Sequence, residues 1–107
     1  SPLGRVTEYI SHNFTSDITN KQLAKIAGYH EYHLNRIFTE KHKKSIRQYI
    51  IDLRLKHAKK LLVSDNRPIS EIAEICGFSS NTYFSSYFSK KNGCTPSEYR
   101  NKYRSIV

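Results

Sequence analysis

Apolar residues recur three and four positions apart along this chain, the period of helices that bury one side. Val6, Tyr9, Ile10 and Phe14 set the first stripe, which stops in the polar stretch 13–17. Thr19 and Gln22 have the Thr-x-x-Gln spacing of a capping box that opens a second helix, and Gly28 can take the left-handed turn that closes it. A third helix is expected over about 31–41. Ser45 and Gln48 form another capping box, opening the longest helix, with Ile46, Tyr49, Ile50, Leu53, Ala58, Leu61 and Leu62 on its inner side. The turn cluster Asp65-Asn66-Arg67-Pro68 ends it, and the proline leads into a short helix carrying Ile69, Ile72, Ala73 and Cys76. After the turn Gly77-Phe78-Ser79, residues 80–91 form a helix with Phe84, Tyr87 and Phe88 inward, stopped by Asn92-Gly93. Thr95-Pro96-Ser97-Glu98 combines a capping threonine, a proline at the first helical position and a glutamate reaching back, and so starts a last helix to about Tyr103. No stretch alternates with strand composition, so the expected fold class is all-α with about seven helices.

The pattern occurs twice. Ala24, Ile26, Ala27, Gly28, Phe38 and Tyr49 return, 49 or 50 positions on, as Ala73, Ile75, Cys76, Gly77, Phe88 and Tyr99. In each copy a short apolar helix, a glycine turn and a second helix follow one another. The polar side of that second helix is not explained by packing, which describes a helix-turn-helix. A duplicated unit divides the 107 residues into two small cores, each marginal alone. The expected division is a first subdomain over 5–44, a linker helix over 45–64 and a second subdomain over 65–107. Residues 1–4 match no element of the repeat and could be an expression scar, with the helices expected from Arg5 onward.

Charge narrows the choice of partner. Lys and Arg number 18 against 9 Asp and Glu, a formal net charge of +9, which favours a polyanion. Half of the basic residues fall between positions 36 and 60, opposed there only by Glu40 and Asp52. Cys76 and Cys94 lack CxxC spacing, and Cys76 sits on an apolar helix face, so a buried inert thiol in a reducing compartment is expected rather than a disulfide. Neither a signal peptide nor an apolar run of membrane-spanning length is visible, and the expected location is the cytoplasm, on the nucleoid.

The run Arg54-Leu55, Ala58, Leu61-Leu62, Ile69-Ser70-Glu71-Ile72-Ala73, Gly77-Phe78, Tyr83-Phe84, Phe88, Lys90-Lys91, Gly93 and Thr95-Pro96-Ser97-Glu98-Tyr99-Arg100 resembles the DNA-binding domain of AraC/XylS-type bacterial transcription regulators. The likeness covers nearly everything from Val6 to Arg104. It implies two helix-turn-helix subdomains joined by a linker helix, promoter binding, a direct or indirect RNA polymerase partner, and a sensor or dimerisation domain in the full-length protein. Two positions depart from the family pattern: Lys43 stands where glycine is usual, the place Gly93 fills in the second unit, and His30 stands where serine is common.

The register of the repeat selects DNA-facing residues. Leu34, Ile37 and Phe38 correspond to Phe84, Tyr87 and Phe88 as the buried side of each second helix. The opposite sides carry Glu31, Tyr32, Asn35, Arg36 and Thr39 in the first unit and Asn81, Thr82, Ser85, Ser86 and Ser89 in the second. Arg can pair with guanine O6 and N7, Asn with adenine, and Tyr or Thr with a thymine methyl or a phosphate. The expected base readers are therefore Glu31, Tyr32, Asn35, Arg36, Asn81, Thr82, Ser85 and Ser86. Lys43, Lys44 and Arg47 follow the first recognition helix directly and are expected phosphate contacts, with Lys90 and Lys91 in the second unit. Arg54, between Leu53 and Leu55, suits a structural hydrogen bond or ion pair at least as well as a DNA contact. A linker of about 27 Å, with the width of the flanking helices, approaches one turn of B-DNA. The two reading faces differ at every position, so an asymmetric site is expected.

Other chemistries find less support. His30 and His33 lack a third ligand, so no metal is expected, and no phosphate-cradling glycine loop or nucleophile elbow appears, so neither a cofactor nor an enzyme is expected. The rival reading is a basic helical interaction module that binds a protein, RNA or membrane surface through the charged side of the linker.

Overall fold

The computed structural model describes residues 1–104 of the chain. Among these residues there are seven helices and no strand: α1 (Pro2–Asn13), α2 (Asn20–Ala27), α3 (Glu31–His42), α4 (Ile46–Ser64), α5 (Ile69–Ile75), α6 (Asn81–Asn92) and α7 (Pro96–Tyr103). They form two compact units, and the division falls inside α4, between Leu53 and Arg54.

The caps explain most of the boundaries. Thr19 Oγ1 accepts from the Gln22 amide while Gln22 Oε1 accepts from the Thr19 amide, and Thr95 and Glu98 make the same reciprocal pair. These bonds satisfy amides that the first helical turn leaves without an internal partner. They also hold the Glu98 carboxyl below its ordinary range, because the ionised form accepts the Thr95 amide best. Ser45 Oγ takes the Gln48 amide at the start of α4. Gly28 and Gly93, both at φ +75°, close α2 and α6 in the left-handed region.

Two expectations about the helices need correction. Helix α1 does not begin beyond residue 4: Ser1 Oγ caps the Gly4 amide, Pro2 sits where its missing N–H costs nothing, and Leu3 packs on the first core. Helix α4 has no single inner side either. Its first stretch gives Ile46 and Ile50 to the core built by Val6, Ile10, Leu23, Ala24, Ala27, Leu34 and Phe38, with Tyr49 and Leu53 packed against it. Ile51 and Leu55, left off the expected inner side, are also buried. In the second unit Leu55, Ala58 and Leu62 are buried, as are Ile72, Ala73, Cys76, Phe78, Phe84 and Phe88. Because α4 contributes to two cores in succession, it carries two apolar stripes.

Arginines tie helix ends inside each unit. Arg5 on α1 donates from Nε to the carbonyl of Ile26 and from Nη2 to that of Ala27, at the end of α2. Arg100 on α7 donates to the carbonyls of Leu62 and Asp65, both at 2.9 Å, at the end of α4. Each supplies donors to the carbonyls that a helix leaves open at its C-terminus.

Candidate nucleic-acid interface

In the first unit α2, the turn at Gly28 and α3 form one helix-turn-helix; α5, the turn at Gly77 and α6 form the other. Leu34 and Phe38 are fully buried, as are Phe84 and Phe88, and this fixes which side of α3 and α6 faces away from each core. Ile37 and Tyr87, expected inward with them, are only half-buried.

On α3, Glu31, Tyr32 and Arg36 are exposed and Asn35 is half-buried; on α6, Asn81, Thr82 and Ser86 are exposed and Ser85 is half-buried. Tyr32 has 77% of its surface in water, the largest exposure among the big hydrophobic side chains of the described residues. Its ring is thus available on the same face of α3 as Arg36. Asn35 Nδ2 donates to the Glu31 carbonyl, so part of its donor capacity is spent within the helix. Arg36 is held on both sides: Nη2 donates to Nδ1 of His33 at 3.2 Å and Nη1 lies 3.7 Å from Glu40 Oε2. His33 and Glu40 were not among the expected site residues, although their spacing of three and four from Arg36 marks them as its neighbours on a helix.

The residues that depart from the family pattern act as helix caps. His30 Nδ1 accepts from the Tyr32 amide at the start of α3, the service that Ser80 Oγ performs for the Tyr83 amide at the start of α6. Lys43 ends α3 at φ +62°, and its amide donates to the Thr39 carbonyl just as the Gly93 amide donates to Ser89. Lys43 is the one non-glycine residue at positive φ among the described residues. A side chain in that region costs about 1–2 kcal/mol, partly offset by the flexibility that glycine would add to the unfolded chain. Lys43→Gly is thus expected to stabilise the protein by about 0.5–1 kcal/mol in denaturant titration. Its charge would be lost, and a lower stability in that variant would show that the left-handed lysine stores no strain.

The cations are not equivalent. Lys43, Arg47, Lys90 and Lys91 are exposed, and the Lys91 ammonium lies 5.7 Å from the centre of the Tyr87 ring. Lys44 is half-buried, with Nζ 2.7 Å from Asp52 Oδ2, and the second oxygen of that carboxylate takes Gln48 Nε2 at 2.8 Å. Its charge is therefore already balanced, which weakens it as a phosphate contact relative to Lys43 and Arg47.

Beneath these cations His42 packs among Phe38 and Tyr49, with ring centroids 4.3 and 5.2 Å away, and its Nε2 is buried without a hydrogen bond. Burial first, then the charges of Lys41 and Lys44, push its pKa below 6.5. The unfolded chain binds the proton more readily, so this contribution to stability is complete above about pH 6.5 and is lost as pH falls toward the lower folded value. His42→Asn, which installs the residue that the second unit has at Asn92, is expected to flatten the fall in unfolding midpoint between about pH 7.5 and 5.5. An identical fall in both proteins would clear His42 of that role.

Burial pushes the Cys76 thiol up to about 11, which leaves it protonated and inert. Among the described residues no three His, Cys, Asp or Glu side chains gather into a group that could hold a metal, and no helix is long and apolar enough to cross a membrane.

Comparison with known proteins places this geometry. A family model described as a helix-turn-helix domain matches residues 23–102. The bifunctional transcriptional activator/DNA repair enzyme AdaA of Bacillus subtilis is 38% identical over 95 residues, which are 89% of this chain and 45% of that protein. The chain thus spans less than half the length of that relative. The C-terminal domain of AraT, a response regulator from Geobacillus stearothermophilus, superposes with a TM-score of 0.90 at 29% identity over 98% of this chain and 88% of that one. The DNA-binding domain of the global transcriptional factor AdpA, solved with a target DNA, gives 0.87 at 26% identity over 96% and 93%. With its two helix-turn-helix units and a family match over most of its length, the chain belongs to the AraC-type family of helix-turn-helix DNA-binding domains of transcription regulators.

Proposed function

We propose that the chain reads a specific, asymmetric promoter site in double-stranded DNA, with α3 and α6 entering successive major-groove segments. The observation that carries this reading is the outer face of α3, where Tyr32 and Arg36 stand exposed at the start and middle of the second helix of a helix-turn-helix. Glu31, Tyr32, Asn35 and Arg36 read bases in one segment; Asn81, Thr82, Ser85 and Ser86 face them in the other. Lys43, Arg47, Lys90 and Lys91 hold phosphates, and Lys44 joins them only by giving up Asp52. Through these contacts the chain acts as the DNA-binding part of a non-enzymatic regulator in the bacterial cytoplasm, on the nucleoid. It works with RNA polymerase as a direct or indirect partner and with a sensor or dimerisation domain elsewhere in the full-length protein.

The two faces are unequal. Arg36, Asn35 and Tyr32 make long-reach or bidentate contacts, whereas Ser86, Ser85 and Thr82 are short hydroxyl side chains that bond to several bases or through water. The second unit then acts chiefly through phosphates and DNA shape, with Asn81 as its one residue suited to a bidentate adenine contact. A saturation scan of the bound site is expected to give strong base preferences in one major-groove segment and shallow ones about a helical turn away. Equally sharp preferences in both, or the sharper segment crosslinking from Ser85, would refute the assignment of the faces. Equal binding to RNA, heparin and any DNA would instead favour a nonspecific basic module.

A further inference from the structure

We infer that His33 is a positioning residue for Arg36, setting the guanidinium in the orientation that reads its base; this rests on Arg36 being a base reader. An arginine side chain cannot accept a hydrogen bond, so the 3.2 Å contact requires His33 Nδ1 to be unprotonated and to accept from Arg36 Nη2. The imidazole is itself fixed, because its ring stands edge-on to Tyr29 at 4.8 Å and 83°. Glu40 approaches the other terminal nitrogen, Nη1, at 3.7 Å. Of the five N–H donors of the guanidinium only one, on Nη2, is spent in a hydrogen bond, and Glu40 adds an ion pair too long for another. Four remain, more than a bidentate contact to guanine needs.

The repeat supplies an internal comparison. The second unit has Phe78 where the first has Tyr29, Tyr83 for His33, Ser86 for Arg36 and Lys90 for Glu40. An aromatic ring occupies the His33 position in both units and packs on the ring from the turn, at 6.2 Å for Phe78 and Tyr83. Packing therefore needs only a ring there. The acceptor nitrogen and the carboxylate occur in the unit that has an arginine to hold, and both are absent where that arginine is serine. The set Tyr29, His33, Arg36 and Glu40 behaves as one device that aligns a flexible cation before it meets DNA, lowering the ordering cost of the contact.

The test uses the 107-residue chain and a double-stranded DNA pool randomised over the site, with base preferences measured by selection and sequencing. His33→Phe keeps a ring against Tyr29 and removes the acceptor; His33→Gln offers an amide oxygen in its place. His33→Phe is expected to lower discrimination at the Arg36-dependent base position by about 3- to 10-fold, with the other positions and the salt slope unchanged. His33→Gln should recover most of that loss, and neither change should add to Arg36→Ala. Discrimination left intact in His33→Phe while Arg36→Ala abolishes it would overturn the positioning role and leave Arg36 as the reader. Base preferences unaltered by Arg36→Ala would remove both. A uniform loss in His33→Phe that persists in the Arg36→Ala background would assign His33 to packing.

Discussion

Phe88→Ala is expected to cost about 3–5 kcal/mol and to unfold the second unit at temperatures where the first still melts cooperatively. Phe88 is fully buried, with its ring 5.7 Å from Phe84 and 5.4 Å from Tyr99, so truncation empties the centre of that core. Units this small have little reserve: at roughly 0.05–0.15 kcal/mol per residue, about 50 residues hold only a few kcal/mol. The cost of the truncation is of that size. Helix α6 would lose the side that orients it, and specific DNA binding should fall with the fold. Hydrogen exchange is the direct measurement: amides of α5, α6 and α7 should lose protection before those of α2 and α3. Phe38→Ala, the equivalent change beside Tyr49 and His42, should reverse that order. A Phe88→Ala protein in which both units lose protection together would show that their stabilities are not separable.

How far the chain could be read in advance depended on the range of each interaction. Capping boxes at Thr19 and Thr95 and the turns at Gly28 and Gly93 are local, set within three or four residues, and stand where the spacing placed them. The face of α3 was legible because the repeat supplied Phe84 and Phe88 as a second copy of Leu34 and Phe38. What escaped was either non-local or chemically uncommon. Arg100 reaches across 38 and 35 residues to the carbonyls of Leu62 and Asp65, and no periodicity encodes that. Lys44 meets Asp52 across a helix start, eight residues on, outside the three-and-four rule. His30 as an N-cap and Lys43 in a left-handed turn use residue types that seldom serve there, so composition pointed elsewhere. The double stripe of α4 blurred into one because both cores draw on a single unbroken helix. His33 and Glu40 were within reach of a local rule, and only the focus on outward readers kept them apart from Arg36.

Arg36→Ala is expected to weaken binding to the selected site by about 1–3 kcal/mol, roughly 5- to 150-fold, and to flatten preference at one base position. The magnitude follows from a comparison of what Arg36 gives up and what it gains. Its side chain is 56% exposed, its ion pair with Glu40 is a surface contact at 3.7 Å, and such pairs contribute only about 0.3–0.5 kcal/mol. Losing that pair on binding would therefore cost little, while a bidentate contact to O6 and N7 from the guanidinium held by His33 discriminates by several times that amount. Arg36→Lys should fare nearly as badly at that base, because an ammonium keeps the charge but loses the planar fork. Ser86→Ala, at the equivalent position of α6, should change preference far less. The measurement is affinity for the selected duplex and for its variants at each position, taken at several salt concentrations. Loss confined to one base with a nearly unchanged salt slope identifies a reader. Equal loss on every sequence, with the slope reduced by about one, would make Arg36 a phosphate contact and leave the base reading of α3 to Glu31, Tyr32 and Asn35.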